Sequence, residues 1–95
     1  MKTTEETLIK ELETKKDGST YVYRLTVSIS EVVASYKLPL YSIFVSMTDS
    51  DGKHTEAVCA DAFADIGKAL VFYDKIVRHN VTPIDLAYVY EDELR

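Results

Sequence analysis

An α+β fold follows from three features of this 95-residue sequence. Apolar and polar residues alternate strictly from Thr20 to Ser30, Lys16-Asp17-Gly18-Ser19 and Asp49-Ser50-Asp51-Gly52 each separate strand-like segments, and the apolar period lengthens to a helical one near residue 60. Strands first and helices last predict a two-layer domain, an antiparallel four-stranded meander followed by two C-terminal helices packed on one sheet face. With 46% hydrophobic residues the chain can fill one core and not two, so residues 1–95 form a single domain with strands over about 6–60 and helices over about 62–79 and 83–92.

Glu6 to Lys15 carries Leu8 and Leu12 among charged and β-branched residues, with Ile9 on the other face of a strand. Asp17-Gly18 tolerates the positive φ of a tight turn, so a hairpin joins this strand to the next. There Tyr21, Tyr23, Leu25, Val27 and Ile29 alternate with Val22, Arg24, Thr26, Ser28 and Ser30, giving one buried face and one wet face. Val32 and Val33 are adjacent and Pro39 cannot donate to a central ladder, so Glu31 to Pro39 reads as a connection with an extended piece around Ala34 to Lys37. A third strand, Leu40 to Thr48, puts Tyr41, Ile43, Val45 and Met47 on one side and Ser42, Phe44 and Ser46 on the other. The fourth runs from His54 to Ala60, where Ala57, Val58 and Cys59 are consecutive apolar residues.

Phe63, Ile66, Ala69, Leu70, Tyr73, Ile76 and Val77 then recur at helical spacing, with Lys68, Asp74, Lys75 and Arg78 on the remaining face. Asp61 or Asp65 caps the start, Lys75 and Arg78 suit the carboxyl end of the macrodipole, and Asn80 stops the helix. In Thr82-Pro83-Ile84-Asp85 a second helix begins, with Thr82 as N-cap, Pro83 at the first helical position and Asp85 three residues past the cap. This helix, Pro83 to about Asp92, carries Ile84, Leu86, Ala87, Val89 and Tyr90, with Leu94 beyond it, and needs packing to persist.

Eleven basic residues against sixteen acidic ones give a net charge of -5, and the basic residues are spread along the chain, which argues against nucleic acid as a partner. No apolar run approaches a membrane span, and Met1-Lys2-Thr3-Thr4-Glu5-Glu6 lacks the apolar core of a secretory signal, so no membrane partner and a cytoplasmic location are expected. Cys59, the single cysteine, fits a reducing compartment and lies in an apolar run, as a small buried thiol does. His54 and His79 have no ligand at metal-binding spacing, and Asp49, Asp51 and Glu56 lack the bidentate Glu of a calcium loop, Ala60 standing at that position. No metal, cofactor or catalytic constellation is expected.

Asn80-Val81-Thr82-Pro83-Ile84-Asp85-Leu86, followed by Val89-Tyr90-Glu91-Asp92-Glu93-Leu94 and preceded by Tyr23-Arg24-Leu25 in a strand, resembles a domain-of-unknown-function family of small bacterial proteins. Those proteins are similar in a Ser/Thr-Pro-Ile/Val-x-Leu helix restart and a Val-x-Glu-Asp-x-Leu tail. The resemblance covers Tyr21 to Leu94, with departures at Glu31 to Leu38 and at Cys59-Ala60. It implies a small, soluble, cytoplasmic protein and carries over no activity or catalytic residue.

Seven tyrosines without a tryptophan are the strongest functional hint. Tyr21, Tyr23, Tyr41 and Tyr73 fall on apolar faces, whereas Tyr36, Tyr88 and Tyr90 fall near the surface and Phe44 interrupts a polar sheet face. These four outlying aromatics are interaction candidates, since such side chains bring large contact area to an interface at low entropic cost. The expected function is a non-enzymatic protein-interaction or regulatory module that binds a protein partner or a second copy of itself through the uncovered sheet face, an edge strand or the last helix. The alternative is a small-ligand-binding or enzymatic domain with a cleft between sheet and helices, around Tyr41, Tyr73, Asp61 and His54. Leu70→Asp and Ile76→Asp would each drive an unpaired charge into the core, and loss of cooperative thermal unfolding by circular dichroism is the expected outcome.

Overall fold

Alternating residues commit Thr20–Ser30 and Leu40–Thr48 to extended backbone, and in the computed structural model both strands run past the alternation. The structure describes residues 6–33 and 36–94, with the side chains of residues 30–37 outside that description. Strands β1 (Glu6–Lys16), β2 (Ser19–Val33), β3 (Tyr36–Thr48) and β4 (His54–Phe63) form one antiparallel sheet in the order β1-β2-β3-β4, and helices α1 (Ile66–Arg78) and α2 (Leu86–Glu93) follow. The expected α+β meander with two C-terminal helices against the sheet is what forms. Among the described residues no helix is long and apolar enough to cross a membrane.

The turns use the chemistry their residues offer. Asp17 and Gly18 both take positive φ, 54° and 82°, so β1 and β2 close through a two-residue hairpin. Between β3 and β4, the Asp49 carboxylate accepts the N–H groups of Asp51 and Lys53 at 3.0 and 2.9 Å, and Gly52 takes φ 86°.

The connection expected over Glu31 to Pro39 is instead paired strand, with Glu31 opposite Lys37 and Ile29 opposite Pro39; Ala34 and Ser35 lie outside the described residues. Pro39 is accommodated because β4 pairs with β3 only from Tyr41 onward, so beside Pro39 there is no strand on that side to receive an N–H.

One sheet face closes against the helices. Tyr23, Leu25, Ile43 and Val45 are completely buried and pack with Ala69, Phe72, Tyr73 and Ile76 of α1 and with Val81 and Leu86. Each fully buried Leu, Ile, Val or Phe side chain contributes about 1.5–3 kcal/mol. Phe72 has no exposed surface although it falls outside the helical stripe read from the sequence, and Leu70 inside that stripe is only half-buried.

Both helices start later than expected. Phe63 ends β4 opposite Tyr41, and α1 begins at Ile66 because the extended Asp65 accepts the Lys68 N–H at 2.9 Å. Its end is a Schellman motif in which Asn80 takes φ 51°, Asn80 N–H donates to the Val77 carbonyl at 3.2 Å, and Val81 N–H to that of Ile76 at 2.9 Å. Thr82 and Asp85 are partners as expected, the Thr82 hydroxyl accepting the Asp85 N–H at 3.3 Å and donating to its carboxylate at 3.2 Å. They close a separate turn, however, and α2 starts only at Leu86.

Two tyrosines tie the layers together. The Tyr23 hydroxyl donates to the Val81 carbonyl at 3.0 Å and accepts from Asn80 Nδ2 at 2.9 Å, while the Tyr73 hydroxyl donates to the Tyr23 carbonyl at 2.8 Å. Tyr23→Phe should lower the unfolding free energy by about 1–3 kcal/mol in urea titration, because it strands a buried carbonyl. Burial pushes the Tyr73 phenol up from 10.0 to about 12 and raises that of Tyr23 as well. A raised folded value means that ionisation opposes folding, so stability should hold below pH 10 and fall as pH rises from 10 through about 12; urea midpoints across that range check it.

Candidate functional site on the open sheet face

Two irregularities decide what the uncovered face presents. In β1 the register shifts between Leu8 and Lys10, so Leu8 lies opposite Thr26 while Leu12 lies opposite Tyr23. One inserted residue, Ile9, therefore puts Leu8 and Leu12 on opposite faces, where an unbroken alternation would have kept them together. Ile9 packs toward the core, and the Lys10 ammonium lies 5.5 Å from the centre of the Tyr73 ring. In β4 the pairing skips from Cys59 opposite Ile43 to Phe63 opposite Tyr41. Asp61 bulges out at φ 51° with its N–H donating to the Ser42 hydroxyl at 2.9 Å, and the Tyr90 hydroxyl donates to the Ala62 carbonyl at 2.7 Å. Aspartate is one of the few residue types that tolerate this left-handed conformation.

Register then sorts the open face into rows. Glu11, Arg24, Phe44 and Val58 form one row across all four strands, Glu13, Val22, Ser46 and Glu56 another, and Leu8, Thr26 and Ser42 a third that ends at the Asp61 bulge. Beyond it Glu6, Ser28 and Leu40 share a row. Thr26, Ser28 and Ser42 are only 7%, 8% and 3% exposed although neither helix lies on this face, while Leu8 and Val58 are half exposed. The Thr26 hydroxyl is buried with no hydrogen-bond partner among the described residues. The Arg24 guanidinium is engaged by the Glu11 carboxylate. A concavity of 390 Å³ opens beside the bulge, lined by Glu6, Ser28, Leu40, Ser42, Phe44 and Asp61.

The four aromatic candidates do not converge. Phe44 sits half-buried in the middle of this face, the Tyr36 side chain lies outside the described residues, and Tyr88 is 70% exposed on α2, in the other layer. Tyr90 turns inward, its ring edge-on to Phe63 and Phe72 at 5.5 and 5.8 Å, which accounts for it as a packing residue. Nor does the structure gather Tyr41, Tyr73, Asp61 and His54 into a cleft. Tyr41 and Tyr73 are core residues, and His54, 3.0 Å from the Thr48 hydroxyl, lies at the opposite end of β4 from Asp61.

A second concavity of 750 Å³, lined by Phe63, Gly67, Val71 and Leu94 with Asp65, Lys68 and Glu93, lies between the end of β4 and the helices. Its carboxylates are spent, Asp65 on the helix cap and Glu93 on Lys75 at 3.1 Å. Burial raises the Cys59 thiol pKa, the opposite of what a nucleophile needs. Among the described residues no group of three or more His, Cys, Asp or Glu is placed to hold a metal ion.

These features define a small α+β domain whose sheet is closed by helices on one side and half polar, half apolar on the other. Over residues 1–95 the chain matches the family of unknown function DUF6514, and it belongs to that family. No curated protein and no solved structure matches it. Asp61→Asn should leave stability nearly unchanged, whereas Asp61→Val should cost about 1–3 kcal/mol in urea titration, because a β-branched residue resists the left-handed backbone that the bulge imposes.

Proposed function

We propose that this chain is a non-enzymatic protein-interaction or regulatory module whose open sheet face receives a basic segment of another protein. The observation that carries this reading is the middle of the face, where exposed Leu8 lies opposite Thr26, half-buried Phe44 and exposed Val58 fill the adjoining row, and three hydroxyl side chains, those of Thr26, Ser28 and Ser42, are more than nine-tenths buried, that of Thr26 without a partner among the described residues. A solvated face would leave such hydroxyls wet, and a closed core would give each a partner.

Charge selects the occupant. The described open face carries Glu6, Glu11, Glu13, Glu56 and Asp61 against Lys15 and Arg24, on a chain of net charge -5. Two copies laid face to face would bring carboxylates together, whereas a segment with lysines or arginines is attracted from a distance and held on contact. A bacterial cytoplasmic location accords with the single cysteine and with the family resemblance.

Selection of random displayed peptides on the purified protein tests this. Basic sequences with an interspersed apolar residue should be enriched, should be lost against Phe44→Glu, and should weaken as salt rises. Sedimentation should show a monomer. Failure to enrich any peptide that distinguishes wild type from Phe44→Glu, or a dimer that Phe44→Glu dissociates, would overturn the reading.

A further inference from the structure

We infer that the docked segment is held as a fifth strand on the outer edge of β4, with a basic, an apolar and a second basic side chain at every other residue, an inference that rests on the open face being the binding face. The sheet ends in two edge strands, β1 and β4, and only one of them is protected. β1 carries Lys10, Lys15 and Lys16 and is broken by the register shift at Ile9, devices that keep an edge strand from pairing. β4 holds unbroken register with β3 from His54 to Cys59 and contains no lysine, arginine or proline. Every second residue of such a strand directs its N–H and C=O away from its one neighbour. Among the described residues no other element bonds the backbone between Thr55 and Ala60; the contacts made by Ser42 and Tyr90 fall on Asp61 and Ala62.

Side chains along this edge say what it receives. Val58 is half exposed and ends the row in which Phe44 stands half-buried, so an apolar side chain opposite Val58 continues that row. Residues two positions to either side of it on the added strand share the same face. One of them meets Glu56, in the row of Glu13 and Ser46, and the other comes beside Asp61. Neither carboxylate is engaged by a lysine or arginine among the described residues, so a basic side chain finds both free to pair.

A second copy of this chain is the poorer occupant, because two β4 edges bring carboxylates together with no lysine or arginine between them. An added strand gains affinity from main-chain bonds that any sequence can make, which leaves selection to the side chains at alternate positions.

The peptide acetyl-Thr-Lys-Thr-Val-Thr-Lys-Thr-amide, titrated into the ¹⁵N-labelled protein, tests this mode of docking. At saturation, alternate amides between Thr55 and Ala60 should slow in hydrogen exchange by about tenfold or more, while the intervening ones, bonded to β3, stay unchanged. N-methylation of the central valine and of the threonine beside it should separate, one weakening binding about tenfold or more and the other having little effect, since adjacent N–H groups of a strand face opposite sides. Exchange of both lysines for glutamate should abolish binding. Equal effects of the two N-methyl groups, no alternate protection in β4, or binding that survives the glutamate exchange would overturn the inference. A dimer whose β4 amides are protected without peptide would do the same. Displayed peptides that bind in a Phe44-dependent way without protecting β4 would overturn it while leaving the docking face standing. If no peptide binds the face at all, both readings fall.

Discussion

Tyr23 is the residue on which the two layers of this protein depend. Its ring is fully buried at the centre of the sheet, its hydroxyl joins the Asn80 amide to the Val81 carbonyl, and its own carbonyl receives the Tyr73 hydroxyl. One residue thus fixes strand, helix and helix connection relative to one another. The hydrogen bonds are strong because they are buried, and for the same reason each would be costly to leave unmade. The Schellman end of α1 matters here, since the left-handed Asn80 both satisfies the last carbonyls of the helix and delivers its amide to Tyr23.

With one face fixed in this way, the other is free to differ. A four-stranded sheet of this length needs only one closed face to be stable, and the rows that face away from the helices are not uniformly polar as an exposed face would be. Two local departures from the pleat shape them. The extra residue at Ile9 brings Leu8 up beside Thr26, and the Asp61 bulge raises a carboxylate at the end of the Ser42 row. Bulges re-aim side chains at little cost in pairing, which is how a regular meander acquires a shaped and charged surface.

Much of the fold was legible before any coordinates. Alternation over Thr20–Ser30 assigned the core face of β2, Asp17-Gly18 and Asp49–Gly52 assigned the hairpins, and the change of period placed the helices after the sheet. Pro39 misled because its effect depends on whether a neighbouring strand is present, and that is settled by where β4 stops. Phe63 misled because a residue at the border of a strand and a helix satisfies both periods; it is buried beside Phe72 from the end of β4. Of the candidate site, Phe44 was visible as an interruption of a polar face. Asp61 was read as a helix cap or as part of a cleft with Tyr41, Tyr73 and His54, and Glu6, Ser28 and Ser42 drew no functional reading, since nothing in their spacing announces that a bulge and a strand end from opposite edges of the sheet meet at one concavity.

What the amino-acid order determined by itself was local: that the alternating segments extend, where the two hairpins turn, about where the helices end, and which side of the alternating strands is apolar, because these follow from backbone preference and from period. Tertiary structure alone decided the register shifts at Ile9 and Asp61, the inward turn of Tyr90 and the burial of hydroxyls on an uncovered face. Those outcomes arise where strands distant in sequence must match one another residue for residue, and a single inserted residue exchanges faces for everything beyond it.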